Sequence, residues 1–315
     1  MDSVKLNEPQ AGSEKAAKAS TLKKKELRFL RLLVLPAILI IGGMYLYPML
    51  LTVVFAFSRV DITTLGIAEF VGFRNFTHLL SNSEFQATIW RSIYFAVMIV
   101  FWTLVVSFSI AMILNRKFVG RNFLRTLILL PWAIPPVVSG VLWGQMFHAE
   151  AGTVNALLFQ LGITEGNTIW LADPRVALHI VIVAEVWRFL PFATLFILAG
   201  MQNIPKSLYD AISMDGANAW QKFRKITLPL VMPVVMPVMV VQFTMAMRAF
   251  DTIFVLTRGA RGTTILNFHV YQQAFTFFNL GLASAAAYIL LFVILICLGV
   301  FFFLQKLILR GGISR

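Results

Sequence analysis

Long apolar runs alternate with short polar stretches along the whole 315-residue chain. A helix crosses the hydrocarbon layer in about 20 predominantly apolar residues. Six stretches reach that length: residues 32–57, 92–114, 126–147, 176–201, 228–250 and 281–304. Period-two alternation is missing from the same windows, which excludes a membrane barrel. Pro36, Pro48, Pro135, Pro136, Pro191, Pro233 and Pro237 fall inside these runs. They do not veto the spans, because neighbouring helices can satisfy the backbone groups that proline frees. The pattern predicts an all-α integral membrane protein with six transmembrane helices. A basic tail without regular structure is expected over 1–31, a six-helix domain over 32–306 and a second tail over 307–315. The longest inner connection, 202–229, joins the fourth and fifth spans.

Composition sharpens this picture. Hydrophobic residues make up 59% of the chain and charged residues 13%, against roughly 25% charged in a soluble domain. The mean hydropathy is +0.80. An ordinary soluble enzyme, a disordered chain and a disulfide-stapled secreted domain are all excluded. The net charge of +13 would suit nucleic acid, but its placement argues otherwise. Lys and Arg gather in the first tail (Lys23, Lys24, Lys25, Arg28 and Arg31 beside the first span), in 116–125, in 206–225 and at the end of the chain. These segments fall on one side of an alternating topology. The charge bias therefore predicts cytoplasmic termini and a multi-pass protein facing membrane lipid, with no nucleic-acid partner. The first apolar run exceeds a signal's core of about 7–15 residues, and no small-residue cleavage site follows, so a permanent helix is expected. Cys297, the one cysteine, lies in an apolar run and reads as packing.

The inner connection carries the chemistry. Pro205 and Ser207 suit a helix start. Leu208, Ala211 and Ile212 recur at i, i+3 and i+4, giving a short amphipathic helix. Asp215-Gly216 supplies a turn, and Trp220, Phe223, Ile226 and Thr227 open a second helix leading into the fifth span. An apolar face outside the membrane must be covered, by lipid, by the protein's own helices or by a groove on a partner.

Tyr209-Asp210-Ala211-Ile212, then Asp215-Gly216-Ala217, then Ile226-Thr227-Leu228-Pro229 resembles the EAA loop of ABC importer permeases. Asp210 stands where that pattern has Glu, and Ile212 where it has a second Ala. Phe70-Val71-Gly72-Phe73-Arg74-Asn75-Phe76, Trp187-Arg188-Phe189-Leu190-Pro191-Phe192, Ala199–Pro205 and Phe250-Asp251 with Val255-Leu256-Thr257 and Gly259 extend the likeness to carbohydrate permeases of the maltose-F-like and glycerol-phosphate type. Gly259-Ala260-Arg261 departs from that group's usual Gly-Gly-Pro. The resemblance implies a type I importer permease in a bacterial inner membrane. Its partners would be a second, maltose-G-like permease subunit, an ATPase dimer and a periplasmic or lipid-anchored substrate-binding protein. Tyr209, Asp210, Ala211, Ile212, Asp215, Gly216 and Ala217 would couple to the ATPase, with Asp210 in its groove and Gly216 permitting the turn. No Gly-x4-Gly-Lys-[Ser/Thr] phosphate loop occurs, so this chain is expected to be no enzyme and to hold no cofactor; ATP and Mg would sit on the partner.

Charges inside the spans are costly, at roughly 2.5–3.5 kcal/mol each near the bilayer centre. Glu185 and Arg188 lie three apart in the fourth span, and Arg248 and Asp251 three apart in the fifth. Each pair is expected to share one helix face. Local ion pairing and a place on the translocation path are both open readings. By resemblance, Glu185, Arg188, Phe189, Arg248, Ala249 and Asp251 fall near the family's sugar path, with Phe189, Trp187 and Phe250 as possible stacking platforms. His78, His148, His179 and His269 have no ligand-spaced partners, so no metal site is expected. An intramembrane protease would need a Gly-x-Ser-Gly signal that Val137-Val138-Ser139-Gly140 lacks. A secondary transporter or channel would be favoured by repeats or ion-binding broken helices, and no convincing repeat is seen.

Overall fold

The computed structural model describes residues 10–61 and 66–312. The chain divides at Ala56 into two units. In the first, α1 (Gln10–Ala56) runs as one helix with Pro36 and Pro48 inside it. Its stretch Leu32–Ala56 is long and apolar enough to cross a membrane. The tail expected to lack regular structure is therefore helical from Gln10, in keeping with its strong helix formers Ala, Lys, Glu and Leu. Residues 1–9 of that tail lie outside the described residues.

The second unit opens with an antiparallel hairpin, β1 (Ser58–Asp61) and β2 (Gly66–Phe70), with an irregularity between Arg59 and Val60. Helices follow: α2 (Arg74–Ser81), α3 (Ser83–Asn115), α4 (Arg121–Ile128), α5 (Leu130–Ala133), α6 (Pro136–Met146), α7 (Thr153–Gln160) and α8 (Ala177–Gln202). After these come α9 (Lys206–Met214), α10 (Ala219–Lys222), α11 (Leu228–Met247), α12 (Asp251–Leu256), α13 (Leu266–Tyr271) and α14 (Leu280–Gly312). The expected C-terminal tail is thus helical as far as Gly312, and 313–315 lie outside the described residues. Ser83–Asn115, Ala177–Gln202, Ala219–Leu256 and Leu280–Phe303 also meet the length and apolarity of a span.

Two expected spans differ from a plain helix. Over 126–147 the chain is bent by 98° between Arg121–Ala133 and Pro136–Met146. Ile134 (φ −80°, ψ 127°) is extended because a residue before proline avoids the helical region. Pro135 (φ −56°, ψ 142°) stays extended before Pro136 for the same reason, so the helix resumes only at Pro136. The fifth span breaks at its far end. Helix α11 stops at Met247, and Arg248 (φ −100°, ψ 8°) and Phe250 (φ −142°, ψ −57°) leave the helical region before α12 starts. Arg248 and Asp251 therefore do not share a helix face, contrary to expectation.

Helix α3 lies along α8, and α11 packs against both. Two separate cores result. One gathers the first half of α3 (Phe85, Phe95, Ile99), the first half of α8 (Val181, Phe189), the end of α11 (Met247) and parts of α12, α13 and α14. The other gathers the end of α3 (Ala111, Leu114), the end of α8 (Ile197, Met201), Ile204, Ile226 and the start of α11 (Val231, Val235). Helices α3 and α8 thus run parallel and α11 antiparallel to both, and the bundle has two chemically distinct ends, the outer and the inner end.

Candidate functional site

At the inner end, the 202–229 connection is a compact helix–turn–helix. Pro205 (φ −58°) opens α9, its fixed φ matching the start of a helix. Asp215 ends it, and Gly216 follows at φ +75°. Gly216 N–H donates to Ser213 O at 3.0 Å, and Ala217 N–H reaches back to Ile212 O at 3.2 Å. This pair of bonds is the Schellman closure, which needs a left-handed residue where Gly216 stands. Asn218 then caps α10. Its side chain accepts from Gln221 N at 2.9 Å, while Gln221 Oε1 accepts from Asn218 N at 2.8 Å. A π-helical turn, Phe223–Thr227, joins α10 to α11, closed by Leu228 N–H donating to Phe223 O.

The loop is held to the bundle from one side. Tyr209 and Ile212 pack against the inner core, and Tyr209 hydroxyl bonds Thr227 Oγ1 at 2.9 Å. The Trp220 ring stacks on Phe223, which meets Phe108 of α3 edge-on. The opposite side is open: Leu208, Asp210, Ala211 and Asp215 are exposed, Met214 is 89% exposed and Trp220 65%. The stripe expected through Leu208, Ala211 and Ile212 is therefore split. Ile212 turns inward, so its bulk lies away from the open face, and that face centres on Leu208, Asp210, Ala211 and Met214. Ala217 is half-buried in the turn.

The second group of expected residues lies about 26 Å further along α8, counting from Gln202 back to Glu185 at 1.5 Å per residue. Glu185 is 2% exposed. One carboxylate oxygen accepts from Arg188 Nη2 at 2.5 Å, and the other accepts from Thr252 Oγ1 of α12. The Arg188 guanidinium lies 4.4 Å from the centre of the Phe189 ring. Phe189 is itself buried, so within this chain its face is covered rather than open as a stacking platform. Ala249 is buried, whereas Arg248 is exposed and Asp251 half-buried. Among the described residues Arg248 and Asp251 form no ion pair; Arg248 O instead accepts from Asn267 Nδ2 at 2.8 Å. The ion-pair expectation thus holds for α8 and fails at the α11–α12 break.

Several positioning residues carry no local signal in the sequence. Thr252 closes the Glu185 site from 67 residues away. Ser92 Oγ accepts from Leu266 N at 2.7 Å, and Arg91 Nη1 donates to Thr264 O at 2.8 Å. Asn155, buried, donates to Ala149 O and Thr168 O and accepts from Trp170 Nε1, tying the 148–170 segment together. The Asn218–Gln221 cap was missed in the sequence, although an N-cap residue followed three residues later by Gln is the signal that would have found it.

Residues 105–311 match the family described as "Binding-protein-dependent transport system inner membrane component". The chain belongs to this family. It is 34% identical over 262 residues to the "Trehalose/maltose transport system permease protein MalF" of Thermococcus litoralis, covering 83% of this chain and 87% of the relative. It is 32% identical over 272 residues to the "Inner membrane ABC transporter permease protein YcjO" of Escherichia coli, covering 86% and 92%. A solved bacterial ABC transporter, described as involved in the import of the acidic polysaccharide alginate, has a chain of the same fold. The TM-score is 0.74 at 22% identity, covering 88% of this permease and 96% of that chain. The permease is thus an inner-membrane component with several apolar helices, and its fold is the importer-permease fold.

Proposed function

We propose that this permease forms half of the translocation path for a carbohydrate and is driven through the 202–229 loop by a separate ATPase. The observation that carries the reading is the build of that loop. One side is fixed to the inner core by Tyr209, Ile212 and Phe223, while Leu208, Asp210, Ala211 and Met214 stand open on the other. A rigid lever with one unpartnered face is what a docked motor protein needs. The chain contains no phosphate loop of its own, so hydrolysis belongs to the partner. The loop lies at the cytoplasmic end, with both termini on that side, as the Lys and Arg bias supports. A second permease completes the path, and a binding protein outside the membrane delivers substrate.

The Glu185–Arg188 pair carries no net charge, which favours a neutral sugar or polyol glycoside over an anionic one. One relative, named for trehalose and maltose, agrees with that class. The test is reconstitution of the four-part complex and measurement of ATPase stimulation by the sugar-loaded binding protein. Gly216→Pro removes the left-handed turn and its N–H donor. The variant should insert normally, purify with less ATPase subunit and lose uptake. Normal uptake and assembly in Gly216→Pro would refute the coupling role. Arg248→Gln tests whether that arginine meets substrate: abolished import at normal expression and basal ATPase activity would place it in the site, and surviving import would remove it.

A further inference from the structure

We propose that the turn between α3 and α4 is a binding site for the phosphodiester headgroups of anionic phospholipids in the inward leaflet. Arg116, Lys117, Arg121 and Arg125 fall within ten residues that contain no acidic side chain. Among the described residues none of the four takes part in an ion pair. Arg125 Nη2 donates to Leu114 O, tying the turn to the inner core, and Arg121 Nη1 donates to Arg116 O within the turn, both at 3.5 Å. Leu114 belongs to the same inner core as Tyr209, Ile212 and Ile226, so this turn and the 202–229 loop occupy one end of the bundle.

Topology alone would require only the positive charges. The structure adds two features. Val119 is wholly exposed and Phe123 is 69% exposed, directly between the cations. A concavity of about 340 Å³ is also present, lined by Lys117, Phe118, Gly120, Arg121, Asn122 and Phe123. An apolar tip set among cations at the end of a span fits the boundary between acyl chains and headgroups. Anionic headgroups supply the complementary charge, each Lys or Arg near the surface adding to the attraction. Helix α4 has no side-chain cap on its first turn; Arg121 N–H donates to Phe118 O, and the Asn122 and Phe123 N–H groups point the same chemistry at a phosphate. A protein partner would have to cover Val119 and Phe123 and neutralise four cations together. The lipid surface does both without a dedicated fit.

The site depends on the inward orientation given above but not on the substrate, so its test is independent of transport. The complete complex is purified with Lys117→Gln/Arg121→Gln and, separately, with Phe123→Ala, which leaves every charge in place. Native mass spectrometry then counts retained phosphatidylglycerol and phosphatidylethanolamine. Retention of phosphatidylglycerol should weaken about tenfold or more in the double variant and less in Phe123→Ala, with phosphatidylethanolamine unchanged. Lys117→Arg/Arg121→Lys should restore retention. Unchanged phosphatidylglycerol retention in both weakened variants would overturn the proposal. So would displacement of the lipid by inorganic phosphate, or a loss of ATPase subunit with lipid retention intact, which would make the turn a protein face. A reporter at Lys222 confirms that the variants keep their topology. Uptake failing in the wild-type complex while these retention differences hold would count against the transport reading and leave the lipid site standing.

Discussion

Both ends of the helix bundle have an apolar core, but the outer end adds to it a set of long-range polar bonds that the inner end has few of. At the outer end, buried polar bonds join segments far apart in sequence: Glu185 to Thr252, Ser92 Oγ to Leu266 N–H, and Arg91 to Thr264 O. Each has a narrow angular range, and a broken one strands a buried group, so this end is locked in one arrangement. At the inner end the helices meet through Ala111, Leu114, Ile197, Met201, Val231 and Val235, with Tyr209–Thr227 as the polar tie. Aliphatic contacts are non-directional and tolerate the small sliding movements of packed helices. The difference bears on the proposed coupling role: force applied at the inner loop would meet the softer end first.

The contrast is open to direct attack. The largest effect should come from Arg188→Gln, which leaves the buried Glu185 carboxylate without its cation. Loss of about 3–5 kcal/mol is expected, read as lower membrane expression and earlier thermal unfolding of the purified complex. Normal expression with uptake abolished would instead place Arg188 on the path and remove it from the outer lock. Ser92→Ala strands the Leu266 N–H and should lower stability by about 1–3 kcal/mol. Hydrogen exchange should then rise locally at α13 and not at the inner end.

Smaller changes address the inner end. Tyr209→Phe removes one half-exposed bond and should lower stability by about 1 kcal/mol or less, while measurably loosening the link between ATP hydrolysis and uptake. Tight coupling in Tyr209→Phe would show that the aliphatic packing alone transmits the movement. The smallest effect concerns His269. Burial holds its pKa below the usual 6.5, with Glu84 pulling weakly the other way. The unfolded chain therefore binds the proton more readily. Stability contributed by the neutral ring is present above about pH 6.5 and is lost as the pH falls below it. His269→Gln should flatten thermal stability across that window. An unchanged slope would mean that the outer end relaxes around the charged ring.

Much of this could be read from residues close together in the chain. The apolar runs gave the spans, because crossing a membrane is a local requirement. The inner loop was legible because Pro205 and Gly216 act on their immediate neighbours. What failed was any inference that assumed a continuous helix. The pairing of Arg248 with Asp251 presumed an unbroken turn where the backbone leaves the helix, and the third span hid a sharp bend at Pro135-Pro136. The direction faced by Ile212 depends on a core assembled from α3, α8 and α11, which no local period reports. Thr252, Ser92 and Thr264 are partners chosen by tertiary packing, with 67 to 174 residues between bonded groups.

The π turn at Phe223–Thr227 also sets a phase. It seats one more residue than an α-helical turn, so α10 enters α11 rotated from where an unbroken helix would put it. Deleting the exposed Arg224 would let the ordinary ladder close. Everything before it would then turn by about 100° and shift by about 1.5 Å relative to α11. The open face of Leu208, Asp210, Ala211 and Met214 would point elsewhere, with no change in its own sequence. The direction of that open face is thus written in a count of residues rather than in their identity. If the loop couples to the ATPase as proposed, a single insertion or deletion there would silence that connection more completely than most substitutions.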